Sequence, residues 1–390
     1  MCLVTSVVAH YRLPVIRGLS SVAGIELSLV TTRGGSWATA RGASLEGLPK
    51  VRVLPPLVIG PEGARVVLFR GLRRTLDSLG TDVVIAEPRM GMASVLFEAL
   101  WRGRADGGRR GLVWWMAGWR DSDRERWKVL LTDAARRTVL RRADAVACYG
   151  SRAASWAVSL GFPGDAVVVA QNAIDTADLE RCVDALRSAK DTALTSGHGV
   201  SQSGLRMLFV GQIIARKRLD MILHSMAFGG EGCRRAVLRI VGDGPEEDAL
   251  RGFGQDLGVE DRVQWCEGTT DPARLAEHLV WADLALNPHT GGLSLNTYMA
   301  AGLPVVCGEA DGTEDDLVLG GVTGWRFSGR SWRDLARCID EAVEDRSRLR
   351  TMGTAAREHL HRTATIDALV HRLAEAARLA ASPHRSCASS

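Results

Sequence analysis

Arg216-Lys217-Arg218 stand just beyond Gly211, and Gly211 itself ends an apolar run at 205–210. A buried strand that runs into a glycine, a short basic loop and then a helix is how an open α/β sheet holds an anion. Backbone N–H groups face outward at the carboxyl end of the strand, and cationic side chains add charge. Lysine occurs only at Lys50, Lys128, Lys190 and Lys217 among 49 basic residues, so composition does not explain a lysine at 217. A solvated basic turn has the same appearance in isolation; the glycine motifs downstream of it make the case for an anion site. Gly242-Asp243-Gly244-Pro245 comes after the apolar run 237–241. Next come Trp265 to Thr269, and then Gly291-Gly292, which open a helical stretch through Leu293, Ser294 and Thr297 to Gly302.

The elements that must position these residues are legible as a pattern. Apolar, β-branched runs at 3–8, 25–31, 51–54, 83–86, 112–115, 145–148 and 167–170 alternate with longer helical stretches. That alternation predicts a parallel sheet with helices on both faces. Small polar residues at 190–204 break it, as a linker would. It then resumes with runs at 207–210, 237–241, 263–265, 284–286 and 305–307. The expectation is an α/β protein of two Rossmann-like domains in series: 1–189, a linker at 190–204, and 205–390. A helical tail from about 331 to 381 is expected to pack back toward the first domain.

Composition bounds the function. With 46% hydrophobic and 24% charged residues and a net charge of only +4, the chain reads as globular, without the basic stripe of a nucleic-acid binder. Eight scattered cysteines form no CxxC pair and no metal spacing, which suits a reduced cytoplasm. No run approaches the ~18–20 apolar residues of a membrane span, and 1–9 lacks the basic start of a signal peptide. A cytoplasmic location with no transmembrane segment is expected.

From about 205 to 327, the order and spacing of these motifs resembles the nucleotide-sugar domain of family 4 glycosyltransferases, the large retaining GT-B group. His10-Tyr11-Arg12-Leu13-Pro14 and Ala170-Gln171-Asn172-Ala173-Ile174-Asp175 are similar, more faintly, to its first half. The resemblance implies a donor cleft between the two domains, with the donor held by the second domain and the acceptor by the first. It puts Lys217 on the donor diphosphate with Arg216 as second cation, beside Gly211 and Gln212. Gly242 and the stretch Trp265, Glu267 and Gly268 fall around the nucleoside, and Gly291, Gly292, Leu293 and Ser294 at the pyrophosphate. The reaction it implies is transfer from a UDP- or dTDP-linked sugar to a hydroxyl acceptor, with retention and without metal or other cofactor, in bacterial natural-product or polysaccharide biosynthesis. A sugar-nucleotide epimerase and a non-catalytic partner of the same fold stay open as alternatives.

Two departures stand out. Where the family carries two glutamates eight positions apart, this chain has His289 and Thr297. The first glutamate touches the donor sugar and the second the ribose hydroxyls. A deoxyribonucleotide donor, a different sugar, or a drifted pocket would each account for the change. The family's first-domain histidine is also missing from the stretch at 114–120, which holds Trp114, Trp115 and Trp119 but no imidazole. His10, after the first strand, is the remaining first-domain candidate for catalysis. Arg12, Arg89, Trp115 and Trp119 are candidates for the acceptor, the tryptophans either stacking on a sugar face or packing in the core. Asp121-Ser122-Asp123 has the form of a metal-binding pair but lies where Asp or Ser caps a helix, so no metal is expected there.

Overall fold

A computed structural model describes residues 1–32, 44–48, 50–60, 66–87, 94–96, 103, 108–117, 137–195, 204–289, 291–344 and 346–382. The chain forms two compact units, one of Met1–Ile174 with Ile366–Ser390 and the other of Asp175–Thr365.

In the first unit, the strands are β1 (Cys2–Val4), β2 (Ser28–Thr32), β3 (Val51–Leu54), β6 (Val83–Ala86), β7 (Gly111–Met116), β8 (Ala145–Cys148) and β9 (Val167–Val169). They form one parallel sheet in the order β3-β2-β1-β6-β7-β8-β9. Alternate residues face opposite sides, as the two-residue period requires. Val4, Val84, Leu112, Trp114 and Val146 enter one core layer. Leu3, Ile85, Val113, Trp115 and Ala147 enter the other. Two further strands, β4 (Pro56–Ile59) and β5 (Val66–Phe69), pair antiparallel as a separate hairpin.

The second unit repeats the principle. Its strands β10 (Arg206–Val210), β11 (Val237–Val241), β12 (Val263–Cys266), β13 (Leu284–Asn287), β14 (Val305–Gly308) and β15 (Gly324–Phe327) are all parallel, in the order β12-β11-β10-β13-β14-β15. Met207 and Phe209 face one layer and Leu208 the other. In both sheets the strand order reverses once: between β1 and β6 in the first unit and between β10 and β13 in the second. At such a reversal neighbouring loops leave in opposite directions and open a crevice at the carboxyl ends.

The observed units divide the chain elsewhere than at 189 and 205. Residues from Ala177 to Thr195 form one helix, and it packs on the helix Pro272–Trp281 of the second unit. The stretch 196–203, the rest of the expected linker, lies outside the described residues. The tail is three helices, Trp332–Glu344, Arg346–Thr363 and Ile366–Ala381, of which only the last belongs to the first unit. That helix buries Leu369, Val370, Leu373, Ala376, Ala377 and Ala380, one stripe at helical spacing, in the first unit's core.

Candidate functional site

The anion-site motifs converge on the carboxyl ends of the second sheet, beside its switch point. β10 leads into Gly211, and a 3-10 turn at Ala215–Lys217 follows. Arg218, with φ at 54°, then turns the chain into the helix Leu219–Phe228. Its guanidinium grips Asp220 at 3.0 Å, so Arg218 braces the turn. Gln212 and Arg216 are exposed, whereas Lys217 is buried, only 9% accessible. The Lys217 ammonium donates to the carbonyl of Gly291 at 3.4 Å and so links the loops after β10 and β13.

Burial, and then Arg216 nearby, pull the Lys217 pKa down to about 8, while Asp311, on the loop after β14, pushes the other way. A buried cation whose charged form is disfavoured in this way is stabilised by an arriving anion. In the neighbouring loops, glycines let backbone pack directly on backbone. Gly211 holds φ at 152°, and a Cβ on Gly242 would lie 1.9 Å from the Gly211 carbonyl oxygen, so neither position tolerates a side chain. Ile213 N–H donates to the Asp243 carbonyl at 3.0 Å, and Gly268 N–H to the Asp243 carboxylate at 3.3 Å, tying together the loops after β10, β11 and β12.

The helix expected to open after Gly292 runs Ser294–Ala300. Its first N–H and hydroxyl are both engaged: Ser294 N–H donates to Gly291 O at 3.3 Å, and its hydroxyl to Val210 O at 2.9 Å. The buried Tyr298 hydroxyl accepts from Val210 N–H at 2.6 Å and returns a bond to Val210 O at 3.2 Å, stapling this helix to the end of β10. Burial pushes the Tyr298 pKa up, so it stays a neutral donor. Thr297 is buried, and its hydroxyl reaches Leu293 O at 3.4 Å. His289 is half-buried on the loop before Gly291. The Asn287 amide donates to the His289 carbonyl at 2.6 Å and fixes that loop. Leu293 and Gly292 are half-buried beside it.

Trp265 packs partly against the core with the Arg251 guanidinium 4.7 Å above its ring; Glu267 is exposed and 3.7 Å from Arg274. Tyr298, Asn287 and Asp311 went unassigned in the sequence. A polar side chain at or just past a strand end was the signal for the last two.

In the first unit the expected acceptor residues fall differently. His10 is exposed, edge-on to Tyr11. Trp115, for which stacking on a sugar face and core packing were both open, packs in the core at 3% accessible, and the Arg12 guanidinium lies 3.9 Å from its centre. Arg12 in turn donates to Asn172 at 3.2 Å and to the Tyr149 hydroxyl at 3.0 Å. The two faint motifs of the first half therefore meet in space, though Arg12 is part of a wall. Arg89, Trp119, Asp121 and Asp123 lie outside the described residues. Among the described residues no group of His, Cys, Asp and Glu side chains is disposed to hold a metal, and no helix is long and apolar enough to cross a membrane.

Residues 196–359 match the family described as "Glycosyl transferases group 1". A stretch of the chain is 29% identical over 175 residues to the GDP-mannose-dependent alpha-(1-6)-phosphatidylinositol monomannoside mannosyltransferase of Mycobacterium tuberculosis, taking in 43% of this chain and 45% of that protein. Another is 28% identical over 209 residues to the D-inositol 3-phosphate glycosyltransferase of Gordonia bronchialis, 50% of this chain and 44% of that one. The chain thus matches less than half the length of either relative. Among solved structures, Anabaena Alr3699/HepE in complex with UDP superposes with a TM-score of 0.67 at 18% identity, over 96% of this chain and 98% of that one. Sucrose-phosphate synthase from Thermosynechococcus elongatus superposes with a TM-score of 0.67 at 17% identity, over 97% and 98%. The fold is therefore that of GT-B glycosyltransferases: α/β, with a parallel sheet in each of two domains.

Proposed function

We propose that the protein is a GT-B glycosyltransferase that moves a sugar from a nucleoside diphosphate, UDP or dTDP, to a hydroxyl acceptor with retention of configuration and without a metal. The observation that carries the reading is Lys217, a buried amine at the switch point of the second sheet, held to the Gly291 carbonyl. As the bond between the sugar C1 and the diphosphate oxygen breaks, negative charge grows on the leaving phosphate. A cation already desolvated and held in place stabilises that charge without reorganising. Arg216 adds to it from the rim, and Gln212 offers a neutral donor. Retention rests on the resemblance, and no nucleophile is assigned. His10 is the first-unit group offered for catalysis. A second reading, a GDP-linked sugar, is favoured by the name of the mannosyltransferase relative.

Turnover of UDP-, dTDP-, GDP- and ADP-sugars, with and without a pool of hydroxyl acceptors, tests the reading. Acceptor-dependent release of UDP or dTDP supports it, and release of GDP favours the second reading. Interconversion of donors without acceptor would mean an epimerase; binding without turnover would mean a non-catalytic partner. EDTA should leave the rate unchanged, and a loss restored by Mn²⁺ or Mg²⁺ would bring Asp121 and Asp123 back as ligands.

A further inference from the structure

The first unit holds a polar cluster at its own switch point. Arg12 follows β1, Glu87 directly follows β6, Tyr149 directly follows β8, and Asn172 lies just past β9. All of these strands are parallel, so the four side chains gather at one edge of the sheet, and Arg12 and Glu87 flank the reversal between β1 and β6. The bonds run in one direction. The Arg12 guanidinium donates to the Tyr149 hydroxyl at 3.0 Å, and that hydroxyl donates to the Glu87 carboxylate at 3.2 Å. Arg12 also stands 3.9 Å from Glu87. Trp115 closes the back of the cluster, beneath Arg12 and edge-on to Tyr149 at 5.7 Å.

Within this cluster, accessibility rises toward the carboxylate. The Arg12 side chain is 14% exposed and that of Glu87 28%. A ligand entering the crevice therefore meets Glu87 first, with the Arg12 guanidinium behind it orienting the carboxylate. A carboxylate presented this way accepts from hydroxyl groups and repels phosphates or acids.

We infer that Glu87, held by Tyr149 and Arg12, binds a hydroxyl of the acceptor, and that the acceptor ring is polyhydroxylated and bears no acid group at that contact. This deepens the proposed function and rests on it. It also sets the chain apart from its relative named for inositol 3-phosphate, whose substrate carries a phosphate. Arg12 and Tyr149 are positioning residues in this scheme.

The test uses the full chain and whichever donor it turns over. Neutral monosaccharides and cyclitols, each paired with its monophosphate, are offered as a pool, and products are read by mass. The products should come from the neutral members. Glu87→Gln, which keeps the shape and removes the charge, should raise the KM for the accepted ring about tenfold or more, because a charge-assisted bond becomes a neutral one. Its UDP dissociation constant and melting temperature should stay those of the wild type. Tyr149→Phe should shift the acceptor KM in the same direction by less. Preferred transfer to the phosphorylated members, an unchanged acceptor KM in Glu87→Gln, or no product from either class while donor is bound would each overturn the inference. A chain that binds and turns over no nucleotide sugar at all would instead defeat the proposed function.

Discussion

Lys217 illustrates how burial changes the work one side chain can do. An exposed lysine keeps its charge to about pH 10, but the burial that brings this one down to about 8 moves its titration into a testable range. In the proposed function the phosphate-binding form is the cation, present below that value. UDP affinity should therefore be flat up to about pH 7 and fall as pH rises through 8. Titrations across pH 6–10 check this, and a decline that begins only near 10 would mean Lys217 is not the group. Thr297 makes the second residue-scale prediction. Its hydroxyl serves its own helix, leaving at most a weak neutral contact for a ribose. UDP- and dTDP-linked forms of one sugar should then differ in affinity by less than about tenfold, some 1.4 kcal/mol. Thr297→Glu should shift preference toward the ribonucleotide, and a wild type that strongly prefers UDP would show that another group reads the 2′-hydroxyl.

At the scale of elements, the loops after β10 and β11 meet backbone to backbone at Gly211 and Gly242. Gly242→Ala places a methyl 1.9 Å from the Gly211 carbonyl and must push the two loops apart. Overpacking of this kind costs about 1–3 kcal/mol, and nucleotide affinity should fall with it. Gly252→Ala is the matched control. Gly252 lies inside the helix Glu247–Asp256 with nothing within 4 Å of its would-be Cβ. It should stabilise by about 0.5–1 kcal/mol and leave UDP binding alone; denaturant titration and calorimetry read both. These glycine turns were legible because their chemistry is local. A strand, a glycine and a helix start lie within a few residues of one another, and the strands of both parallel sheets, β15 apart, coincide with apolar runs. The rest was hidden for physical reasons. β4 begins at Pro56 in a proline-broken, half-buried stretch that carries no clean alternation. β15 opens on a glycine and carries the exposed Arg326. Arg12 and Tyr149 are 137 residues apart, and only the fold reveals that they touch. Trp115 shows the converse: the sequence allowed an open ring, and Arg12 covers it.

For the whole molecule, the chain returns to the first unit after completing the second. Leu369, Val370 and Leu373 of the last helix are buried there. At about 1.5–3 kcal/mol for each such side chain, ending the chain at residue 365 should destabilise the first unit by on the order of 5 kcal/mol. Thermal unfolding of the shortened chain would show this as a lost or much lowered transition, and an unchanged melting profile would contradict it. The central claim is that the second unit holds a nucleoside diphosphate against Lys217 and uses that amine in transfer. The most direct measurement is UDP titration and sugar transfer by Lys217→Ala beside the wild type, with the fold checked by melting temperature. The account predicts a loss of transfer of about 2–4 kcal/mol, roughly 30- to 1,000-fold, together with weakened UDP binding. A folded Lys217→Ala protein whose UDP affinity and transfer both stay within about twofold of the wild type would contradict it.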